Sequence, residues 1–110
     1  MAKLEHAFTG DFDDVLAALH AEITQGSISA SYEDGSTITA GTTRVAVRVY
    51  ERYSYAGSNR VSLNITLVGD GDRLYLTGIT SGGSEAMFFK FNTFGEEAFL
   101  EKLRKAVARL

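Results

Sequence analysis

The sequence predicts an α+β domain: two layers, with two helices on one face of a mostly antiparallel sheet, in the order β-α-β-β-β-β-α. Three observations predict it. The stretch from Thr43 to Ser81 reads as three strands joined by tight turns. Two further segments carry apolar residues at helical spacing. Two amphipathic helices need an apolar surface, and one sheet face offers it. A chain of 110 residues is expected to form one domain, 1–110, with a modest core.

Lys3–Phe8 alternates, with Leu4, His6 and Phe8 on one side, and is read as a strand. Thr9-Gly10 breaks the pattern, and Asp11 is a helix cap. Asp13 and Asp14 occupy the first turn, where negative charge suits the helix dipole. Phe12, Val15, Leu16, Leu19 and Ile23 make one apolar stripe, and Gly26 ends the helix. Ser27–Glu33 is read as a strand with Ile28, Ala30 and Tyr32 on one face, and Asp34-Gly35 as a turn. Ser36–Ala40 fits a short strand or a loop equally, so the path from Asp34 to Gly41 stays open.

Beyond Gly41 the alternation sharpens. Val45, Val47 and Val49 alternate with Arg44, Ala46, Arg48 and Tyr50, and the valines are expected to face the core. Val61, Leu63, Ile65 and Leu67 alternate with Ser62, Asn64 and Thr66. A sheet with one wet face produces this pattern, whereas a sheet buried on both faces reads as continuous apolar runs. Ala56-Gly57-Ser58-Asn59 and Gly69-Asp70-Gly71-Asp72 supply hairpin turns. In Arg73–Ser81, Leu74 and Leu76 compete with Tyr75 and Ile79 for the core, and Gly78 leaves room for a close neighbour. Ser81-Gly82-Gly83-Ser84 is a break, and Ala86–Phe91 allows a short extra strand. Thr93-Phe94-Gly95-Glu96 is a capping box. Phe99, Leu100, Leu103, Ala106, Val107 and Leu110 form the buried stripe of the terminal helix. The order of elements resembles a reduced helix-grip arrangement, which by itself carries no function.

The runs Arg48-Val49-Tyr50-Glu51-Arg52-Tyr53-Ser54, Ser81-Gly82-Gly83-Ser84 and Phe94-Gly95-Glu96-Glu97 resemble a family of small bacterial proteins of unknown function, from Ser27 to the end. The resemblance implies no activity.

Composition bounds the function. The formal charge of −3 argues against a general nucleic-acid binder. No run approaches the length of a membrane span, and Met1–His6 has no apolar signal core, so a cytoplasmic protein is expected. Cysteine is absent, which removes disulfides and thiolate metal sites. No spacing specifies a reaction, a metal site or a cofactor, and none is expected. His6 and His20 are the only histidines, with no carboxylate at ligand spacing. They are the acid–base candidates of an enzymatic reading.

Candidate binding residues fall into two groups. Ser81, Gly82, Gly83 and Ser84 could cradle an anion with backbone N–H groups, although glycine serves turns more often than ligands. Arg44, Arg48 and Arg52 share parity, so Arg48 and Arg52, with Tyr53, could hold an acidic group. Tyr50, Phe88 and Arg44 are candidates for an outward interface. The favoured reading is a non-enzymatic binding or protein-interaction module, as a homodimer or with another protein. The alternative is a small apolar ligand held between the C-terminal helix and the sheet.

Overall fold

The computed structural model describes residues 1–26, 29–54, 59–82 and 100–110. Five strands form one antiparallel sheet: β1 (Ala2–Thr9), β2 (Ser31–Ala40), β3 (Thr43–Ser54), β4 (Asn59–Asp70) and β5 (Arg73–Gly82). Their order is β1-β5-β4-β3-β2, so the last four strands are a meander and β1 closes the sheet against β5. Helix α1 (Phe12–Gln25) crosses one face from the β1 edge toward the β2 edge. A second helix, α2 (residues 100–108), packs on the same face. The α+β order expected from the sequence is the order observed. The capping box, the extra strand Ala86–Phe91, Ile28 and Phe99 lie outside the described residues.

Helix α1 starts where its chemistry directs. The Asp11 carboxylate accepts a hydrogen bond from the Asp14 N–H at 3.0 Å, and the Gly26 N–H closes the helix on the Glu22 carbonyl. Phe12, Val15, Leu19 and Ile23 are buried. From α2, Leu100, Leu103 and Ala106 are buried and Val107 partly so. Leu110 is exposed, because the helix ends before it. The strands meet these residues with Val61, Leu63, Ile65, Leu67, Leu74 and Leu76. Gly69 and Gly78 let the helices approach: a Cβ there would lie 2.7 Å from Phe12 and 2.5 Å from Leu103. The arms of α1 and α2 are also tied by an Arg109–Glu22 ion pair.

The two tight hairpins decide which faces are covered. Ala40 pairs with Thr43 across Gly41-Thr42, and Asp70 with Arg73 across Gly71-Asp72. Both glycines have φ of +62°, at the first central position that a type II′ turn reserves for glycine. A loop of even length pairs odd-numbered residues with even-numbered ones. Leu63 therefore lies opposite Tyr50 and Thr80, and Leu67 opposite Ala46 and Leu76. The competition in β5 goes to Leu74 and Leu76.

The same rule corrects the expectation for β3. Ala46 and Tyr50 are the buried residues of that strand, and Val45, Val47 and Val49 point to the opposite face, half-buried. The second correction is at Asp34-Gly35. These residues are not a turn but part of β2, which runs on through Ala40. A β-bulge between Tyr32 and Asp34 takes up the extra residue. Gly35 is required just beyond it, since a Cβ would stand 2.6 Å from the Val47 carbonyl oxygen. Strand β2 begins only at Ser31; Ala30 is buried before it, and its N–H bonds the Ile23 carbonyl.

Candidate functional site

The face of the sheet away from both helices presents a second broad surface among the described residues. Its residues stand in cross-strand rows. One row runs Ile38, Val45, Val68, Tyr75, Ala7 across all five strands and is apolar throughout but for the tyrosine hydroxyl. The next runs Ser36, Val47, Thr66, Thr77, Glu5, and the third Asp34, Val49, Asn64, Ile79, Lys3.

Charge in these three rows is confined to the edge strands. Lys3 and Glu5 stand on β1, and Asp34 on β2. The three central strands carry Val45, Val47, Val49, Asn64, Thr66, Val68, Tyr75, Thr77 and Ile79, with no ionised group among them. Ile38 is 55% exposed, Tyr75 39% and Ile79 37%. An uncharged centre inside a charged rim is the anatomy of a protein interface. Contiguous exposed apolar surface of this extent marks sites of association more often than chance surface.

The rim is ordered by its own contacts. The Tyr75 hydroxyl donates to Glu5, and Lys3 stands 3.2 Å from the same carboxylate. The Tyr75 hydrogen bond, and then Lys3, hold the Glu5 carboxyl below its ordinary range, and that bond raises the Tyr75 phenol. At the far end Arg60 pairs with Glu51 at 3.0 Å, and the Ser62 and Ser81 hydroxyls lie 2.7 Å apart.

On the helix side, a polar cluster fills the β2–β3 corner. Tyr50 is fully buried, and its hydroxyl lies 2.9 Å from His20 Nδ1. Tyr32 meets both rings edge-on. Burial pushes the Tyr50 phenol up to about 12, so it stays protonated as a hydrogen-bonding group. A shallow groove of about 240 Å³ lies at the opposite edge, between β1 and α2, lined by Leu4, His6, Arg104, Val107 and Ala108. His6 stacks on Phe8 at 4.9 Å. The two histidines thus sit toward opposite edges of the sheet and form no joint site.

The residues singled out in the sequence are dispersed. Tyr50 is in the core and not on an outward surface, because it shares the parity of Ala46 under α1. Arg44 lies on the helix side, bidentate to Asp13 at 2.9 and 3.0 Å and 4.3 Å above the Phe12 ring. Asp13 is held below its usual range by that guanidinium. Arg48 is spent on β2, bonding the Ser36 carbonyl and the Thr37 hydroxyl at 2.8 Å. Arg52 shares that face, whereas Tyr53, 52% exposed, is on the other. The sheet therefore separates Tyr53 from the arginines. Ser81 and Gly82 continue β5 in register with Ser62 and Val61. Gly83, Ser84 and Phe88 lie outside the described residues.

Among the described residues no three His, Asp or Glu side chains gather as a metal would need, and no helix is long and apolar enough to cross a membrane. A family model matches residues 1–110. The chain belongs to DUF6054, a family of unknown function. Comparison with curated proteins and with solved structures finds no match. DUF6054 membership thus covers the whole chain and brings no activity with it. The open-face residues were within reach of the sequence: the alternation of Val45, Val47 and Val49 is visible there, and only its side was misjudged.

Proposed function

We propose that this protein is a non-enzymatic protein-interaction module whose working surface is the open face of the sheet. The observation that carries the reading is the charge-free block of three rows on β3, β4 and β5, bounded by Lys3, Glu5 and Asp34 at the sheet edges and by Asp70, Arg73, Glu51 and Arg60 toward the strand ends. A cysteine-free chain suits a reducing compartment, and a cytoplasmic setting accompanies this reading. Light scattering with size exclusion over a dilution series tests it. Wild type is expected at twice the chain mass, and Val47→Lys at the chain mass with a near-normal melting temperature. A wild-type protein that stays monomeric at the highest concentration refutes association of copies through this face.

The β1–α2 groove supports a second reading. Its Leu4 and Val107 walls suit a small apolar group, and Arg104 at the rim suits an anion. A thermal-shift series with fatty acids of increasing chain length tests it. No shift at any length removes the reading.

A further inference from the structure

Resting on the interaction reading, we infer that the partner is a second copy of this chain, packed face to face about a two-fold axis running along β4. The argument is one of register. Strand β4 is the middle of five. A two-fold axis parallel to it, lying between two facing sheets, exchanges β3 with β5 and β2 with β1. Each row of side chains then faces the same row of the other copy.

The consequences can be read across. Val45 faces Tyr75, Val47 faces Thr77, and Val49 faces Ile79 of the other copy. Val68, Thr66 and Asn64 each face themselves. Ile38 meets Ala7. At the rim Lys3 comes opposite Asp34, and Glu5 opposite the Ser36 hydroxyl. Uncharged groups meet uncharged groups, and Asp34 of the β2 rim, whose carboxylate accepts from the Gly35 N–H, meets Lys3 of the β1 rim. The Asn64 oxygen already accepts from the Thr66 hydroxyl at 3.2 Å. Two Asn64 amides across the axis can in addition exchange N–H···O bonds, so the central polar group is satisfied on burial.

The other in-plane axis fails the same test. Perpendicular to the strands and through the middle row, it sets Glu5 against Glu5, Asp34 against Ile38 and Lys3 against Ala7. The two Glu5 carboxylates would repel, and Asp34 and Lys3 would lose water without gaining a partner charge. Aligned sheets pack at an angle of about 30°, which moves the corners of this footprint by roughly 6 Å, within the reach of a lysine. Three rows on five strands give a footprint of roughly 490 Å² per copy, from a strand spacing of about 4.8 Å and a rise of about 3.4 Å per residue. Both copies together bury about 1,000 Å², the size of a small, concentration-dependent interface.

The absence of native cysteine makes the symmetry directly measurable. Single variants Thr66→Cys and Val47→Cys are treated with a short thiol-to-thiol crosslinker and examined by mass. Thr66 lies on the axis, so Thr66→Cys is expected to link to its own copy at least about tenfold more than Val47→Cys. An equimolar mixture of Val47→Cys and Thr77→Cys is expected to give the mixed dimer at the Thr66→Cys level. Val68→Cys, also on the axis, serves if Thr66→Cys fails to fold. If light scattering shows a dimer but Val47→Cys links to itself as readily as Thr66→Cys, this symmetry is overturned while the interaction reading stands. A monomer at every concentration overturns this inference, and interaction through the open face then rests on a different protein. A mixed assembly with a different protein in place of the second copy overturns the inference alone.

Discussion

Replacing Gly78 by alanine tests how closely the terminal helix lies on the sheet. Gly78 is on the helix side of β5, opposite Leu4 on β1 and Ile65 on β4. A Cβ built there stands 2.5 Å from Leu103 Cδ2. Carbon atoms at rest are about 3.5–4.0 Å apart, so the methyl overlaps its neighbour by about 1 Å. Leu103 is fully buried and cannot swing into water. Overpacking of this size costs about 1–3 kcal/mol. Against this, losing a glycine stiffens the unfolded chain and returns about 0.4–1 kcal/mol. Gly78→Ala is therefore expected to destabilise by about 1–2 kcal/mol. Leu103→Ala alone leaves a cavity and is expected to cost about 2–5 kcal/mol. In the double variant the new methyl occupies part of that cavity. The double variant should be about 1–2 kcal/mol more stable than the sum of the single effects predicts. Urea denaturation followed by circular dichroism measures all three, with the slope m checked for constancy. Additivity within about 0.5 kcal/mol, or a Gly78→Ala protein as stable as wild type, would refute the close approach of α2 to β5.

Three further outcomes follow from the helix side of the sheet. Tyr50 has a folded-state pKa raised from 10.0 to about 12, so its contribution is complete below pH 10 and is lost as pH rises from 10 to 12, by roughly 2–3 kcal/mol. Tyr50→Phe should flatten that alkaline slope in chemical denaturation while costing about 1 kcal/mol near neutrality through the lost His20 bond; an unchanged slope contradicts the assignment. Asp13 has a depressed pKa, so its pairing with Arg44 stabilises above the ordinary carboxylate range and is lost as pH falls through the lowered value. Asp13→Asn should reduce the acid dependence of the melting temperature, more at low salt than at high. Asp11→Ala should cost about 1 kcal/mol by removing the cap on the Asp14 N–H, read from the same urea titration, and Asp11→Asn should restore most of it.

Much of the fold was legible because short-range chemistry decides it. The Asp11 cap, the stripe Phe12, Val15, Leu19, Ile23 and the Gly26 stop are local, and α1 begins and ends where they direct. Hairpin order followed from turn glycines, and the room left at Gly78 was visible as a missing side chain. The misjudged side of β3 is instructive. Val45, Val47 and Val49 are more apolar than the set that contains three arginines, so composition pointed them inward. Hairpin register outweighs composition: even loops oblige Ala46 and Tyr50 to share the face of Leu63 and Leu67. Arg44 and Arg48 tolerate that face because Asp13 and the β2 edge receive their guanidinium groups. The β2 bulge escaped notice because Asp34-Gly35 is also good turn chemistry, and only pairing with β3 distinguishes the two.

By itself, then, the amino-acid order determined where α1 lies, that β1, β3, β4 and β5 are extended, and that strands alternate between a dry and a wet side, since these depend on neighbours within a few residues. Which side is dry for β3, where β1 joins, and that a charge-free block of valine, threonine, tyrosine and isoleucine gathers on the uncovered face were decided by tertiary structure. Those outcomes depend on pairing between residues as far apart as Ala2 and Thr80, and no local preference encodes such a partner.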